Sequence, residues 1–223
     1  MQVKETVSVR WLYCSVFILV AIGVASTINR TLALRTGALF FDPLRATFSA
    51  TALQDVEKYD RGFLTHPVLT SLHIVPGSIF LILALFQFSS RIRNRHIDFH
   101  RRSGRLLVGI GLLTGLFGLF LGVPFQFTGA IASSAAILFG ALFLTALIRA
   151  FVAIRRHDVV RHREWMIRAF SIAIGISTVR IVTAVLVLIT RAPSFELLGT
   201  SFWIGWTLTL AAGELWIRST RDF

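Results

Sequence analysis

The chain has 223 residues, of which 55% are hydrophobic and only 15% are charged, with a formal net charge of +12. Soluble domains are about 45–50% apolar and about 25% charged, so this composition excludes an ordinary soluble domain. The basic residues flank long apolar stretches, which is typical of membrane topology signals and argues against nucleic-acid binding. The single cysteine, Cys14, excludes an internal disulfide.

Six apolar stretches are each close to the ~20 residues that a helix needs to cross a bilayer. Unpaired backbone groups are too costly in lipid for irregular spans, so we expect helices. The prediction is an all-α, six-helix membrane bundle in one domain, with Asn29–Pro67 as an outer loop that contains a short surface helix. The predicted spans are Trp11–Ile28, Val68–Phe88, Leu106–Val123, Gly129–Ile154, Trp165–Thr190 and Gly199–Ile217.

The first span follows Lys4 and Arg10 and resembles the start of a signal peptide. Its apolar part is longer than the ~7–15 residues of such a peptide, so we expect an uncleaved anchor. Across the whole chain, 16 of the 23 basic residues fall on one side of the predicted spans and six on the other. The positive-inside rule then predicts cytoplasmic termini, an inner-membrane location, and contacts between the cytoplasmic rim and anionic headgroups.

Polar residues at membrane depth indicate function because burying them in lipid is costly. Arg180 lies about ten residues, or roughly 15 Å, from the outer end of the fifth span, and His73 lies roughly 8–10 Å deep in the second. We expect both to face one cavity that opens outward, with Arg180 holding an anionic group. Pro76 and Gly77 are expected to break the helix beside His73.

Helical spacing extends this candidate ligand-binding set. His66, Gly77 and Gln87 share the helical face of His73, and Ser177 shares that of Arg180. Glycines and alanines follow His100 and His162 at spacings of three, four and seven. These stripes predict close helix packing or, alternatively, room for a flat porphyrin or quinone ring with a histidine at its edge. A metal site is disfavoured because arginines flank these histidines.

Three segments, Thr65–Gly77, His100–Arg105 and His162–Arg168, resemble the bacterial membrane-protein family called domain of unknown function 2306. This resemblance implies a multi-pass membrane protein and carries no activity. A looser similarity to cytochromes of the b561 type implies haem b held by histidines near helix ends. The fourth span contains no histidine, which departs from that pattern, and leaves His100 and His162 as the axial pair for an inner haem.

Three functions follow as hypotheses. The first is small-molecule binding or transport at His73 and Arg180, and the second is a haem or quinone redox protein with His100 and His162 as cofactor ligands. The third is a structural or accessory membrane subunit. A homo-oligomer or a larger membrane partner stays open, and Glu214 is expected to form an ion pair with Arg168 or Arg218.

Overall fold

A computed structural model of the chain describes residues 2–37, 50–122, 129–190 and 194–220. Every secondary-structure element in these ranges is an α-helix, so the all-α prediction is confirmed for them. The helices are α1 (Gln2–Thr36), α2 (Ala50–Thr65), α3 (Pro67–Gln87), α4 (Ser90–Arg95), α5 (Ile97–Gly122), α6 (Gly129–Arg155), α7 (Val159–Thr190) and α8 (Phe195–Ser219).

Five helices in the described part of the chain are long and apolar enough to cross a membrane: α1 from Trp11 onward, α3, α5, α6 and α7. The sixth predicted span coincides with α8, which has 25 residues but does not belong to this group. Its tryptophans, threonines and two glutamates lower its hydropathy. The chain is therefore a helical protein with several membrane-spanning segments.

The start of the predicted outer loop is wrong, because Asn29–Thr36 continues α1. The hydroxyl groups of Thr27 and Thr31 donate to the carbonyls four residues earlier, which accommodates polar residues within the helix. The loop contains a short helix as predicted, α2, while the position of this helix on the membrane surface stays a prediction. Residues 38–49 of the loop, and Val123 at the predicted end of the third span, lie outside the described residues.

Two helices begin before their predicted spans. α5 begins at Ile97 rather than Leu106, and the acidic side chain in its first turn, Asp98, favours an early helix start. α7 begins at Val159 rather than Trp165 because the Asp158 carboxylate accepts a hydrogen bond from the Arg161 backbone N–H at 3.0 Å. Hydropathy located the apolar part of each helix, whereas side-chain caps determine where the helix itself begins.

The membrane-length helices are packed against one another so that neighbours in the chain run antiparallel. α6 contacts α5, α7 and α8, α3 contacts α5, and α1 packs against α3 and α7. The short helix α2 lies where α3 begins, and α4 lies where α3 ends. We call these two ends of the bundle the α2 end and the α4 end.

Glycines allow the helices to approach closely. A Cβ atom on Gly205 of α8 would lie 2.6 Å from the backbone nitrogen of Val179 in α7. A Cβ on Gly111 of α5 would lie 2.7 Å from Leu147 Cδ1 of α6. A side chain at Gly205 would collide with the backbone of α7, so this glycine is needed for helix packing, whereas a Cβ at Gly111 would require side chains of α3 and α6 to move. Around Gly111 the space that a flat ring would need is filled by side chains.

Candidate functional site

A cavity of about 240 Å³ lies inside the bundle, between α1, α3, α5, α6, α7 and α8, with α2 contributing at one end. A single water molecule takes up ~30 Å³ in the liquid, so the cavity is large enough for a small organic molecule. No acidic side chain contributes to its described wall. The wall is mainly apolar, with its charged groups supplied by arginines.

The cavity is elongated along the bundle axis. The residues that line it extend from Ile172 to Arg180 on α7, from His73 to Leu81 on α3, and from Thr114 to Gly122 on α5. Each range covers eight helical steps, which correspond to about 12 Å at ~1.5 Å per residue. On α1, Arg30 lies at the α2 end of the cavity and Gly23 at the opposite end. The cavity therefore has distinct ends, and both arginines lie at the α2 end.

Arg180 and His73, which the sequence singles out, are both part of this wall. The Nε atom of Arg180 is buried and has no hydrogen-bond partner within the described ranges. No carboxylate among the described residues pairs with Arg180 either. Arg180 as a whole is half-buried, and a guanidinium taken out of water normally has a paired anion, because part of its hydration is otherwise lost. Arg180 therefore supplies a positive charge that the described protein groups leave uncompensated.

Arg30 is the second arginine of the wall, and its charge is paired. Its Nη1 donates to Asp60 Oδ1 at 2.7 Å, and the Asp60 side chain is fully buried. The guanidinium also lies over the Phe63 ring, 4.6 Å from the centroid, and 5.7 Å from that of Tyr59. These contacts fix α2 against α1 and place the two aromatic rings at the α2 end of the cavity.

His73 is held in place by α5. Its Nδ1 lies 2.8 Å from the carbonyl oxygen of Thr114, and the Thr114 hydroxyl donates to the carbonyl oxygen of His73. A carbonyl only accepts, so Nδ1 carries the proton, and in the neutral imidazole Nε2 is an acceptor. A Cβ on Gly118 would lie 2.7 Å from His73 Cε1. The glycine is thus required for the position of the ring.

The predicted helix break beside His73 is wrong, since α3 continues through Pro76 from Pro67 to Gln87. Proline removes one backbone donor from a helix, and a neighbouring helix can supply a replacement bond. Here Thr114 of α5 bonds to a carbonyl in the same turn region. The helix therefore continues through Pro76 without unwinding, and the packing of α5 against α3 supplies an additional hydrogen bond beside it.

The other predicted ligand-binding residues divide into two groups. Gly77 lines the cavity, where a Cβ would lie 3.1 Å from Thr114 Oγ1. Ser177 is buried behind the wall, near Gly23 of α1, and His66 precedes α3. Gln87 lies at the α4 end, where its Nε2 donates to Ser103 Oγ at 2.7 Å. The described cavity wall thus includes His73, Gly77 and Arg180 but not His66, Gln87 or Ser177.

Sequence reasoning missed several wall residues. Arg30 fell in a segment predicted to be a loop. Tyr59 and Thr114 were missed because they are uncharged, and sequence reasoning relied on charged or costly polar residues at membrane depth. The four-residue spacing of Tyr59 and Phe63 on α2 is the one signal that indicated a shared helical face. The pairing of Arg30 with Asp60 joins residues 30 positions apart, which spacing along a single helix does not reveal.

The candidate haem ligands lie at the α4 end, outside the described cavity wall. His162 Nδ1 lies 2.9 Å from the carbonyl of Ala150, while the buried His100 Nδ1 has no partner among the described residues. The two residues are close enough to interact electrostatically. Their role in haem binding stays a prediction. In the described ranges, no group of three or more His, Cys, Asp or Glu side chains is arranged to hold a metal.

An ion-pair cluster joins α7 and α8 near the α4 end. Arg168 forms two hydrogen bonds to the Glu214 carboxylate, at 2.5 and 3.0 Å, and its Nη1 lies 3.8 Å from Glu164. Glu214 thus pairs with Arg168, one of its two predicted partners. Trp165 lies beneath the guanidinium groups of both Arg149 and Arg168. This arrangement is that of a structural helix–helix contact.

Comparison with known families places the chain among membrane proteins. A family model described as "Predicted membrane protein (DUF2306)" matches residues 70–217, well over half of the chain, so the protein belongs to this family. The match extends beyond the resembling segments to include α8. Neither a curated protein nor a solved structure was found to match the chain.

Proposed function

We propose that this protein binds a small organic anion in the cavity at the centre of its helix bundle, with Arg180 as the residue that holds the anionic group. The observation that carries the proposal is the uncompensated guanidinium of Arg180 in a mainly apolar wall. Two unit charges 4 Å apart attract by about 4 kcal/mol at the effective dielectric constant of ~20 used near protein surfaces. A bound anion would therefore offset much of the cost of burying Arg180.

The neighbouring groups favour an anion over a cation. Arg30 adds a positive charge at the same end of the cavity, and its partner Asp60 leaves the pair near neutral. The net charge facing a ligand is then that of Arg180. His73 contributes Nε2, which is free of hydrogen bonds to the described residues and accepts a hydrogen bond from a ligand hydroxyl or amide.

The proposal includes six membrane crossings, with α8 as the sixth. The sixth crossing is supported by the packing of α8 against α7. Gly205 packs on Val179, and Trp206 Nε1 donates to Ile172 O at 3.0 Å. The Arg168–Glu214 ion pair extends the contact between α7 and α8 toward the α4 end. A helix that follows a membrane-spanning partner over this depth crosses the membrane with it, although its own hydropathy is lower.

The proposed orientation places the α4 end in the cytoplasm of a cell whose inner membrane holds the protein. The supporting feature is a group of exposed arginines on α4 and the first turns of α5, which would contact anionic headgroups. The α2 end of the cavity then faces the outer side, and binding would begin from that side. The exposed arginines are Arg91, Arg93, Arg95, Arg101, Arg102 and Arg105.

Equilibrium dialysis of octanoate against the protein in lipid nanodiscs tests the proposal, with empty nanodiscs subtracted. Removing one partner of a buried charge pair costs about 2–5 kcal/mol of binding, so Arg180→Gln is expected to weaken octanoate binding at least ~30-fold. Arg61→Gln, an exposed arginine on α2, is the matched control and should bind within about twofold of the wild type.

Octylammonium serves as the charge-reversed probe and should not bind. Equal octanoate affinity in Arg180→Gln and the wild type, or equal binding of the cationic and anionic probes, would contradict the proposal.

A further inference from the structure

The two ends of the cavity differ in chemistry. At the α2 end the wall carries Arg180, Arg30 and Tyr59. At the opposite end, about 12 Å along the axis, the wall is formed by Leu81, Ile172 and Trp206. A ligand that satisfies both ends has a charged group at one end and an apolar body at the other.

The apolar end is closed by tightly packed groups. A Cβ on Gly23 of α1 would lie 2.9 Å from Leu81 Cδ1 and 3.0 Å from Ser177 Oγ, so α1 packs closely against α3 and α7 on this side of the cavity. Across the cavity, the Trp206 ring is fixed by its hydrogen bond to Ile172 O and by edge-on packing with Phe202, at a centroid distance of 5.0 Å. These contacts form a floor that limits how far a ligand can extend.

We infer that the ligand is a single-tailed anionic amphiphile of medium length, with its head at Arg180 and its tail directed toward the floor at Leu81, Ile172 and Trp206. This inference rests on the proposed function and adds the ligand's class, orientation and length. With C–C bonds of ~1.5 Å at tetrahedral angles, an extended chain advances about 1.25 Å per carbon, so ~12 Å accommodates about eight to ten carbons.

The apolar wall agrees with this class. A tail in the cavity of about 240 Å³ contacts mainly apolar groups, contributed by six helices. Burying one methylene group changes binding about fourfold, from ~0.8 kcal/mol per methylene. Affinity should therefore rise with each added carbon until the tail meets the floor. Beyond that length, additional carbons have no place within the cavity.

The experiment is a series of radiolabelled straight-chain carboxylates from butyrate to tetradecanoate, measured by equilibrium dialysis with wild-type protein in nanodiscs. Dialysis fixes the aqueous concentration of each acid, and empty nanodiscs remove the contribution of lipid partitioning. The expected result is about a fourfold gain per methylene from butyrate to octanoate, followed by no further gain beyond decanoate.

Ala173→Leu provides the structural control of chain length. Ala173 lines the cavity seven residues, about 10 Å, from Arg180 along α7, so a larger side chain there shortens the space for the tail. The variant should bind butyrate like the wild type. Its affinity should stop rising with chain length about two carbons earlier than that of the wild type. Ala184→Leu, at an exposed position on the same helix, should leave the whole series unchanged.

The possible failures are distinguishable. If all chain lengths bind alike and Arg180→Gln abolishes binding, the anion site stands and the tail inference is overturned. A gain that continues through tetradecanoate also overturns it, because the tail then extends into lipid. If no carboxylate binds in a manner that depends on Arg180, the proposed function fails and the inference fails with it.

Discussion

Two arginines line the same cavity, and the structure predicts opposite effects for their removal. Arg30 is paired with the fully buried Asp60 at 2.7 Å, whereas Arg180 has no carboxylate partner within the described ranges. Each arginine is replaced in turn by glutamine, which retains most of the side-chain volume and removes the charge. The quantity compared is the thermal stability of the ligand-free protein.

In Arg30→Gln, removal of the guanidinium leaves the buried Asp60 carboxylate without this cation. Breaking a buried ion pair in this way costs about 3–5 kcal/mol. At ~2–4 °C per kcal/mol for a chain of this size, the expected decrease in Tm is about 6–20 °C. For Arg180→Gln no anion among the described residues is left behind, and the dehydration of a half-buried cation is relieved. The ligand-free variant should be at least as stable as the wild type.

Thermal unfolding followed by tryptophan fluorescence in the same detergent measures both variants, with and without octanoate. A ligand at 100 times its Kd stabilises the folded state by ~2.7 kcal/mol, so octanoate should raise the Tm of the wild type but not of Arg180→Gln. If Arg180→Gln lowers the Tm of the ligand-free protein as much as Arg30→Gln does, Arg180 has a structural partner and the reasoning is wrong.

Three further predictions concern helix packing and topology. Gly118→Ala should displace His73 and weaken octanoate binding in dialysis, whereas Gly109→Ala, where an added Cβ meets no atom within 4 Å, should bind normally and lose no stability. Arg168→Met should lower the Tm, because it leaves Glu214 without its cation; the exposure of that pair limits the cost to about 1–3 kcal/mol. In a cysteine-free background, a membrane-impermeant maleimide should label Lys58→Cys in intact cells but label His157→Cys only after permeabilisation, and the reverse pattern would contradict the proposed orientation.

Hydropathy predicted most of the fold because each helix that crosses a bilayer needs an apolar stretch of about 20 residues. The predicted apolar stretches coincide with α1, α3, α5, α6, α7 and α8. Helix ends were less predictable, since they depend on local bonds such as the Asp158 cap before α7. The contact of α1 with α2 through Arg30 and Asp60 joins residues 30 positions apart, so the sequence of a single helix does not reveal it.

Individual residues of the cavity wall were predictable when their burial was costly. Arg180 and His73 stood out because charged and polar groups at membrane depth need a reason to be there. Arg30, Tyr59 and Thr114 were missed, because their roles come from contacts between helices. Gln87 shares the helical face of His73 but lies beyond the cavity, at the α4 end. A helical face continues along the whole of α3, whereas the cavity extends only from His73 to Leu81.

The most direct test of the central claim is photoaffinity labelling with octanoate that carries a diazirine at its tail end, followed by peptide mass spectrometry. The anion site, with the tail directed toward the floor, predicts labelling near Ile172 and Trp206, suppressed by excess octanoate and absent in Arg180→Gln. Labelling confined to exposed positions such as Leu188 and Leu208, and unchanged in Arg180→Gln, would contradict it.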